Sequence, residues 1–235
     1  MAVRTAMLAR ARPGQTRALL FDLDGTLIDT APDIARALNR TLLWLGRPAV
    51  DAARVRGWIG DGARALLDKA LDASSTDLQW AHFCFGYDAC CGEASRPYPG
   101  VASMLGRCRA AGVKLAVVTN KEARFVHRLL AGHGLSEYFD VLVAGDTLPR
   151  RKPHPDGVLH ALAALDVVPA AAVLIGDSVI DIRTARAAGV RAWLVTHGYG
   201  TGDFVVNDRP DATIDDFDAL DPARIDDDGT AVTVA

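Results

Sequence analysis

The chain has 235 residues, half of them hydrophobic, and a formal net charge of −3. That length makes one large domain or two smaller ones, with apolar residues enough for a sizeable core. So balanced a charge gives no electrostatic reason to expect nucleic acid or a membrane surface as partner, and no apolar segment is long enough to span a bilayer.

The first seventeen residues carry Arg4, Arg10, Arg12 and Arg17 among scattered apolar positions. They lack the apolar core of a secretory signal. Residues 1–17 are expected to form a disordered basic arm; a misassigned start or a nucleic-acid contact are lesser readings. Cys84, Cys90, Cys91 and Cys108 form no CxxC pair and have no His cluster beside them. Reduced, mostly buried thiols in a cytoplasmic protein are expected, and a redox switch has little behind it.

The first strong element is Leu19-Leu20-Phe21, an apolar run ending in Asp22, Leu23, Asp24, Gly25 and Thr26. Without polar alternation it reads as a strand buried on both faces. Ligands of open parallel sheets gather beyond the carboxyl ends of such strands. Asp22 and Asp24 would repel each other there unless a cation held them, and a metal is the simplest answer.

Thr30 then reads as an N-cap, with Pro32 in the first turn. Ile34, Leu38, Leu42 and Leu45 follow at helical spacing until Gly46 and Pro48 stop it. Further helices are predicted around Asp51–Trp58, Ala63–Leu71 and Thr76–Cys91. Trp44, Trp58, Trp80, Phe83, Phe85 and Tyr87 all fall in this block. They are expected to be the core of a small helical module rather than a ligand-stacking surface. Inserted behind the first strand, the module is placed to act as a lid.

From Pro97 onward strands and helices alternate. Helices are predicted at Val101–Ala111, Lys121–Gly132, Pro155–Leu165 and Val179–Ala188, the last closed by Gly189. Strands are predicted at Lys114–Thr119, Tyr138–Ala144, Ala172–Asp177 and Arg191–Thr196, with a weak one at Ala212–Ile214. This rhythm implies an α/β fold: a Rossmann-like parallel sheet core with helices on both faces, plus the inserted α-helical cap. The core is expected from residues 18–31 and 97–221, the cap from 32–96, and an acidic disordered tail from 222–235.

Several strands end in groups that complement one another: Asp22, then Thr119 and Asn120, then Asp177, with Lys152 in a loop between. Turn preference would explain one or two such ends; it explains the whole set poorly. Phosphoryl transfer needs an in-line nucleophile, cations for the phosphoryl oxygens and a proton for the leaving oxygen. Asp22 suits the nucleophile and Asp24 the proton carrier. Asp22 and Asp177 suit Mg2+, which prefers oxygen ligands. Lys152 supplies positive charge and Thr119 a hydroxyl, with backbone N–H groups near both strand ends forming an anion nest. Asp181 either completes a helix N-terminus or acts as an outer carboxylate that orients Asp177; the company it keeps favours the second.

Four stretches carry a resemblance. Phe21-Asp22-Leu23-Asp24-Gly25-Thr26-Leu27, Val118-Thr119-Asn120-Lys121, Lys152-Pro153-His154-Pro155 and Gly176-Asp177-Ser178-Val179-Ile180-Asp181 resemble, in order, the four motifs of the haloacid dehalogenase-like hydrolases. The resemblance implies a helical cap after the first motif, Mg2+ dependence, an aspartyl-phosphate and a small phosphoester substrate, in a monomer or homodimer. It adds Asp24 to the metal ligands through its backbone carbonyl, and Asn120 with Thr119 and Lys152 to the phosphate site. The family's dehalogenases lack an acid at the position of Asp24, which argues here for phosphate chemistry.

Asp29 to Asp33, Trp58 to Ala63, Gly145 to Pro149 and Gly198-Tyr199-Gly200 are most similar to the family's branch acting on 2-phosphoglycolate. That branch has Asn where this chain has Asp61, between two glycines. Asp61 either weakens binding of an anionic substrate, unless Arg64 or the metal offsets it, or serves only as a helix cap. Both residues are candidates for reading the substrate. Another substrate (a nucleotide, sugar phosphate or pyrophosphate), a phosphosugar mutase and a non-enzymatic phosphate-binding regulator are the alternatives. The glycines from Gly198 to Gly202 lack dinucleotide-fingerprint spacing and read as a turn.

Overall fold

In the computed structural model, residues 16–200 and 208–222 are described. The basic arm, the acidic tail and Gly202 therefore lie wholly or mostly outside the described residues. Six strands form one parallel sheet: β1 (Ala18–Phe21), β4 (Lys114–Val118), β5 (Val141–Val143), β6 (Ala172–Gly176), β7 (Arg191–Val195) and β8 (Ala212–Ile214). Their spatial order is β5-β4-β1-β6-β7-β8, the doubly wound order of Rossmann-type sheets. The chain moves outward from β1 in one direction, then crosses back and continues in the other. The point of reversal lies at the ends of β1, β4 and β6.

The alternation of side chains along β1 sends Leu19 and Phe21 into one apolar layer and Ala18 and Leu20 into the other. All four are fully buried, as the unbroken apolar run requires. Helices α5 (Val101–Ala110) and α6 (Ala123–Gly132) cover the first face through Met104, Leu105, Phe125 and Leu129. Helices α7 (Asp156–Leu165) and α8 (Val179–Ala188) cover the second through Val158, Leu162, Ile182 and Ala185.

Between β1 and β4 the chain makes α1 (Ala31–Trp44), α2 (Ala52–Arg56), α3 (Ala63–Leu71) and α4 (Asp77–Cys90). Asp51 caps α2 by accepting from the Arg54 N–H at 2.7 Å, and Thr76 with Gln79 makes a capping box on α4. Phe83 and Tyr87 are fully buried, as predicted for a helical core. Trp44 and Phe85 are not: they are 48% and 64% exposed. Trp44 stacks on His82 and Arg40 lies over Phe85 on the outer face of the cap. Helical spacing placed them on α1 and α4 but could not say which side faced outward.

Sequence reading missed a two-stranded ribbon where the chain leaves the core and returns: β2 (Ile28–Asp29) runs antiparallel to β3 (Arg96–Pro97). It is too short to show periodicity. Asp33 sits beside it, fully buried in the first turn of α1. Its carboxylate accepts from the N–H groups of Gly92, Ala94 and Ser95 and from the Ser95 hydroxyl. One side chain thus fastens the outgoing linker to the returning one.

Two other boundaries shift. Part of the strand predicted from Tyr138 is a 3₁₀ turn, Ser136–Tyr138, and β5 begins at Val141. The helix predicted from Lys121 begins at Ala123, because Asn120 and Lys121 are engaged by partners outside the helix. The four cysteines are buried and unpaired, and burial pushes their thiols upward in pKa, which suppresses the reactive thiolate.

Candidate active site

Register brings the strand ends together. Phe21 pairs with Val117 on β4 and with Ile175 on β6, and the Asp22 N–H still donates to the Ile175 carbonyl at 2.9 Å. Asp22 therefore leaves the sheet level with Val118 and Gly176, and Thr119 and Asp177 emerge one residue later on either side.

Asp22, Asp177 and Asp181 converge: one oxygen from each lies within 4.8 Å of the others, and all three residues are buried. Lys152 stands among them, its Nζ 2.9 Å from Asp22 Oδ1 and 2.7 Å from Asp181 Oδ1. The two contacts differ in kind. The one to Asp181 is a hydrogen bond. The one to Asp22 is close but off hydrogen-bond geometry, so Asp22 Oδ1 is buried without a hydrogen-bond partner. Burial pushes the Asp22 carboxyl up in pKa, Lys152 opposes it, and Asp181 and Asp24 push further upward. Asp177 is raised by burial first and then by Asp181 and Asp22. For Lys152, burial acts to lower the pKa, but Asp181 and Asp22 outweigh it and the ammonium is held.

Asp181 caps α8 and also holds Lys152. Its Oδ2 accepts from the N–H groups of Asp177 and Ser178 and from the Ser178 hydroxyl, closing a capping box on α8. Its Oδ1 holds Lys152. Both oxygens are thus engaged within the core, whereas Asp22 lines the cleft. Asp177 Oδ2 accepts from the Tyr199 N–H at 2.7 Å. The backbone crowds this carboxylate closely: a Cβ on Gly25, whose φ is +81°, would lie 2.4 Å from Asp177 Oδ2, and one on Gly198 would lie 2.1 Å from Asp177 Cβ. Only glycine fits either position.

Asp24 turns away from the triad. Its Oδ1 accepts from the Thr30 hydroxyl at 2.6 Å and from Lys121 Nζ at 3.0 Å. Thr30 thus precedes α1 as predicted, but its side chain makes no cap hydrogen bond, because the hydroxyl serves Asp24. Thr119 is buried at the end of β4; its Oγ1 accepts from the Lys121 N–H at 3.3 Å, leaving the hydroxyl hydrogen to donate.

Asn120 stands beside Thr119, with its side chain turned to protein partners. Its Oδ1 accepts from the Lys152 N–H, and its Nδ2 donates to the carbonyls of Lys152 and Gly60. Both ends of the amide are committed to protein, so the Asn120 side chain fixes the Lys152 loop and joins it to the cap, and its part in a phosphate site would fall to its backbone N–H. Neither cap candidate reaches the site. Arg64 donates to the Ser75 carbonyl and pairs with Asp77, and Asp61 pairs with Lys69 at 2.7 Å. Each finds a nearer partner on the cap itself.

The residues sequence reading missed are Thr30, Lys121 and Tyr199. Tyr199 was read within a turn; its hydroxyl donates to Asp29 Oδ1 at 2.6 Å and accepts from the N–H groups of Thr30 and Ala31. Lys121 follows Thr119 and Asn120 in the second motif, and only the fold shows its partner, Asp24.

Cap and core enclose a narrow cleft over Asp22, Asp24 and Thr119, with room for the centre of little more than one water, about 20 Å³. Ile34, Ile59, Ala63 and Leu66 form its apolar wall. Such a site can hold a small anion between fixed cations and two carboxylates of different surroundings.

Comparison with known proteins agrees with this arrangement. Residues 19–195 match the model of the haloacid dehalogenase-like hydrolase family. The chain is 39% identical over 228 residues to a phosphoglycolate phosphatase of Pseudomonas putida, covering 93% of this chain and 83% of that protein. It is 42% identical over 219 residues to the plasmid-encoded phosphoglycolate phosphatase of Cupriavidus necator, covering 88% and 94%. Among solved structures, a predicted phosphoglycolate phosphatase from Haemophilus somnus superimposes with a TM-score of 0.78 at 32% identity, covering 87% and 96%. CbbY from Rhodobacter sphaeroides, solved with phosphate, superimposes with a TM-score of 0.75 at 29% identity, covering 87% and 96%. A family match running from β1 to β7, through every strand that contributes to the cleft, shows that the chain belongs to the haloacid dehalogenase-like hydrolases.

Proposed function

We propose that this hydrolase is a Mg2+-dependent phosphatase of a small phosphomonoester, 2-phosphoglycolate, working through an aspartyl-phosphate. The observation that carries the reading is Asp22: a carboxylate at a rigid strand end that lines the cleft and lies 2.9 Å from the Lys152 ammonium. A carboxylate so placed can serve as the nucleophile. Lys152 offsets charge on the phosphoryl oxygens, and the Thr119 hydroxyl donates to one of them. Asp24 gives its proton to the leaving oxygen and later takes one from the attacking water. Lys152 is itself aimed by Asp181 and by the Asn120 clamp on its backbone.

The donor set fits a magnesium ion. Three carboxylates offer only hard oxygens, and in a buried site the single Lys152 ammonium offsets only part of their mutual repulsion. Asp22 and Asp177 would hold the ion directly, with Asp24 contributing its backbone carbonyl, while Asp181 orients its neighbours. When bound, the ion supplies positive charge beside the phosphoryl oxygens.

Two facts support phosphoglycolate as substrate: the relatives carrying that name cover most of this chain, and the cleft is small. Residues 32–96 would form the cap that excludes water above the bond being broken. Four buried, unpaired thiols fit the reducing cytoplasm. The test is turnover with Mg2+ on phosphoglycolate, sugar phosphates, nucleotides and pyrophosphate, with Asp22→Asn alongside. Phosphoglycolate should be preferred by about tenfold or more, and Asp22→Asn should lose about a thousandfold or more. A sugar phosphate at the head of the panel would overturn the substrate, and wild-type turnover by Asp22→Asn would overturn the nucleophile.

A further inference from the structure

The cleft needs something to recognise the end of the substrate that carries no phosphate. Its wall offers Ile34, Ile59, Ala63 and Leu66, and the one cation among its described lining residues is Lys121. The Lys121 side chain is 2% exposed. Its Nζ lies 3.0 Å and 3.2 Å from the two oxygens of Asp24 and 4.7 Å from the centre of the Tyr87 ring. The Lys152 ammonium is turned the other way, to Asp22 and Asp181. We propose that Lys121 binds the carboxylate of the substrate and so selects 2-phosphoglycolate over uncharged analogues, an inference that rests on the phosphoglycolate reading above.

Reach and charge both point to Lys121. In 2-phosphoglycolate a single methylene separates the bridging oxygen from the carboxyl carbon. The bridging oxygen must come within hydrogen-bond distance of Asp24 to receive its proton. The carboxylate then falls one short step from Asp24, where Lys121 already stands. Without that ammonium it would meet two carboxylates and an apolar wall, and a buried charge with no partner is strongly disfavoured. Tyr87 holds the ammonium in place from below through its ring face. Among the described residues, Arg151 also comes near, its Nη1 2.9 Å from where a Cβ on Gly62 would lie. Its Nε donates to the Gly145 carbonyl at 2.6 Å, and it lines an adjoining pocket behind Thr119 and Asn120, with Val143 and Gly157.

The test compares 2-phosphoglycolate with 2-hydroxyethyl phosphate, which keeps the bridging atoms and replaces the carboxylate by a neutral alcohol. The ratio of the two kcat/KM values is measured for wild type, Lys121→Met and Arg151→Gln. Because it is a ratio on one preparation, partial misfolding of a variant cancels. Wild type should favour phosphoglycolate, Lys121→Met should lower that preference by about tenfold or more, and Arg151→Gln should retain it. Equal loss on both substrates in Lys121→Met, even complete loss, overturns the inference, as does loss of preference in Arg151→Gln alone. A wild type that does not distinguish the two esters overturns the substrate reading and the inference together. A wild type that does, beside a Lys121→Met that keeps the ratio, overturns the inference alone.

Discussion

Tyr199 and Asp29 are joined by a 2.6 Å hydrogen bond from the phenol to the carboxylate, across 170 positions of sequence. The same phenol oxygen accepts from two backbone N–H groups at the start of α1, and the Tyr199 backbone N–H donates to Asp177. One residue therefore ties the strand leading into the cap to a carboxylate of the acidic triad. Tyr199→Phe removes the three phenol contacts and spares the backbone one. It should cost about 1–2 kcal/mol of stability, read by urea unfolding. Metal affinity, which depends on the retained contact to Asp177, should change little. A variant as stable as wild type would show that the phenol merely fills space.

Asp33 performs the matching task on the returning linker. Three backbone N–H groups and one hydroxyl converge on its carboxylate in a site with no solvent access. Asp33→Asn keeps the shape but turns an amide toward donors. It should cost about 2–4 kcal/mol, and limited proteolysis should cut first between Cys91 and Arg96, where the anchored linker lies. Unchanged unfolding and cleavage would remove Asp33 from the account of how the cap is held.

The acidic triad predicts a stability response to metal that needs no turnover. Asp177 sits beside Asp22 and Asp181, and burial magnifies their repulsion. Mg2+ at about 100 times its dissociation constant should stabilise the wild type by about 2.7 kcal/mol, seen as a raised Tm. Asp177→Asn should lose most of that rise. With chelator present, the same variant should be at least as stable as wild type, because a repelling charge is gone. A Mg2+ response equal to that of wild type would exclude Asp177 as a ligand.

Much of the site was legible in sequence because its parts sit at strand ends. An unbroken apolar run marks a buried strand, and the next polar residue is then a position in space. Asp22, Thr119 and Asp177 were found in this way, and the parallel register brought them together. What stayed hidden depends on side-chain partners far away in the chain. Asn120 lies beside Thr119, yet its amide is spent on Lys152 and Gly60. Thr30 reads as a cap until Asp24 is seen to take its hydroxyl. Arg64 and Asp61 were chosen for sitting near a glycine pair, but each met a closer opposite charge on its own module. Local pattern reports the backbone's course; it does not report which of several donors a carboxylate will choose.

His197 gives a pH dependence with a definite sign. Its ring packs against Tyr98 at 4.0 Å and Phe217 at 5.5 Å, and its Nε2 lies 3.2 Å from the Thr26 carbonyl, just beyond Gly25. Burial lowers its pKa below the ordinary 6.5, against a smaller opposing effect of the Thr26 carbonyl. The folded state therefore prefers the neutral ring. Its contribution is fully present above the unfolded pKa and is lost as pH falls from about 6.5 toward the lower folded value. Part of the ring is open to solvent, so the effect is modest. His197→Gln retains a donor to Thr26 and cannot titrate in this window. Urea unfolding of both proteins across pH 5 to 7.5, a range set by the ordinary histidine pKa of about 6.5, should show wild type losing stability relative to the variant as the medium is acidified. Parallel curves would mean that the ring accommodates its second proton without loss.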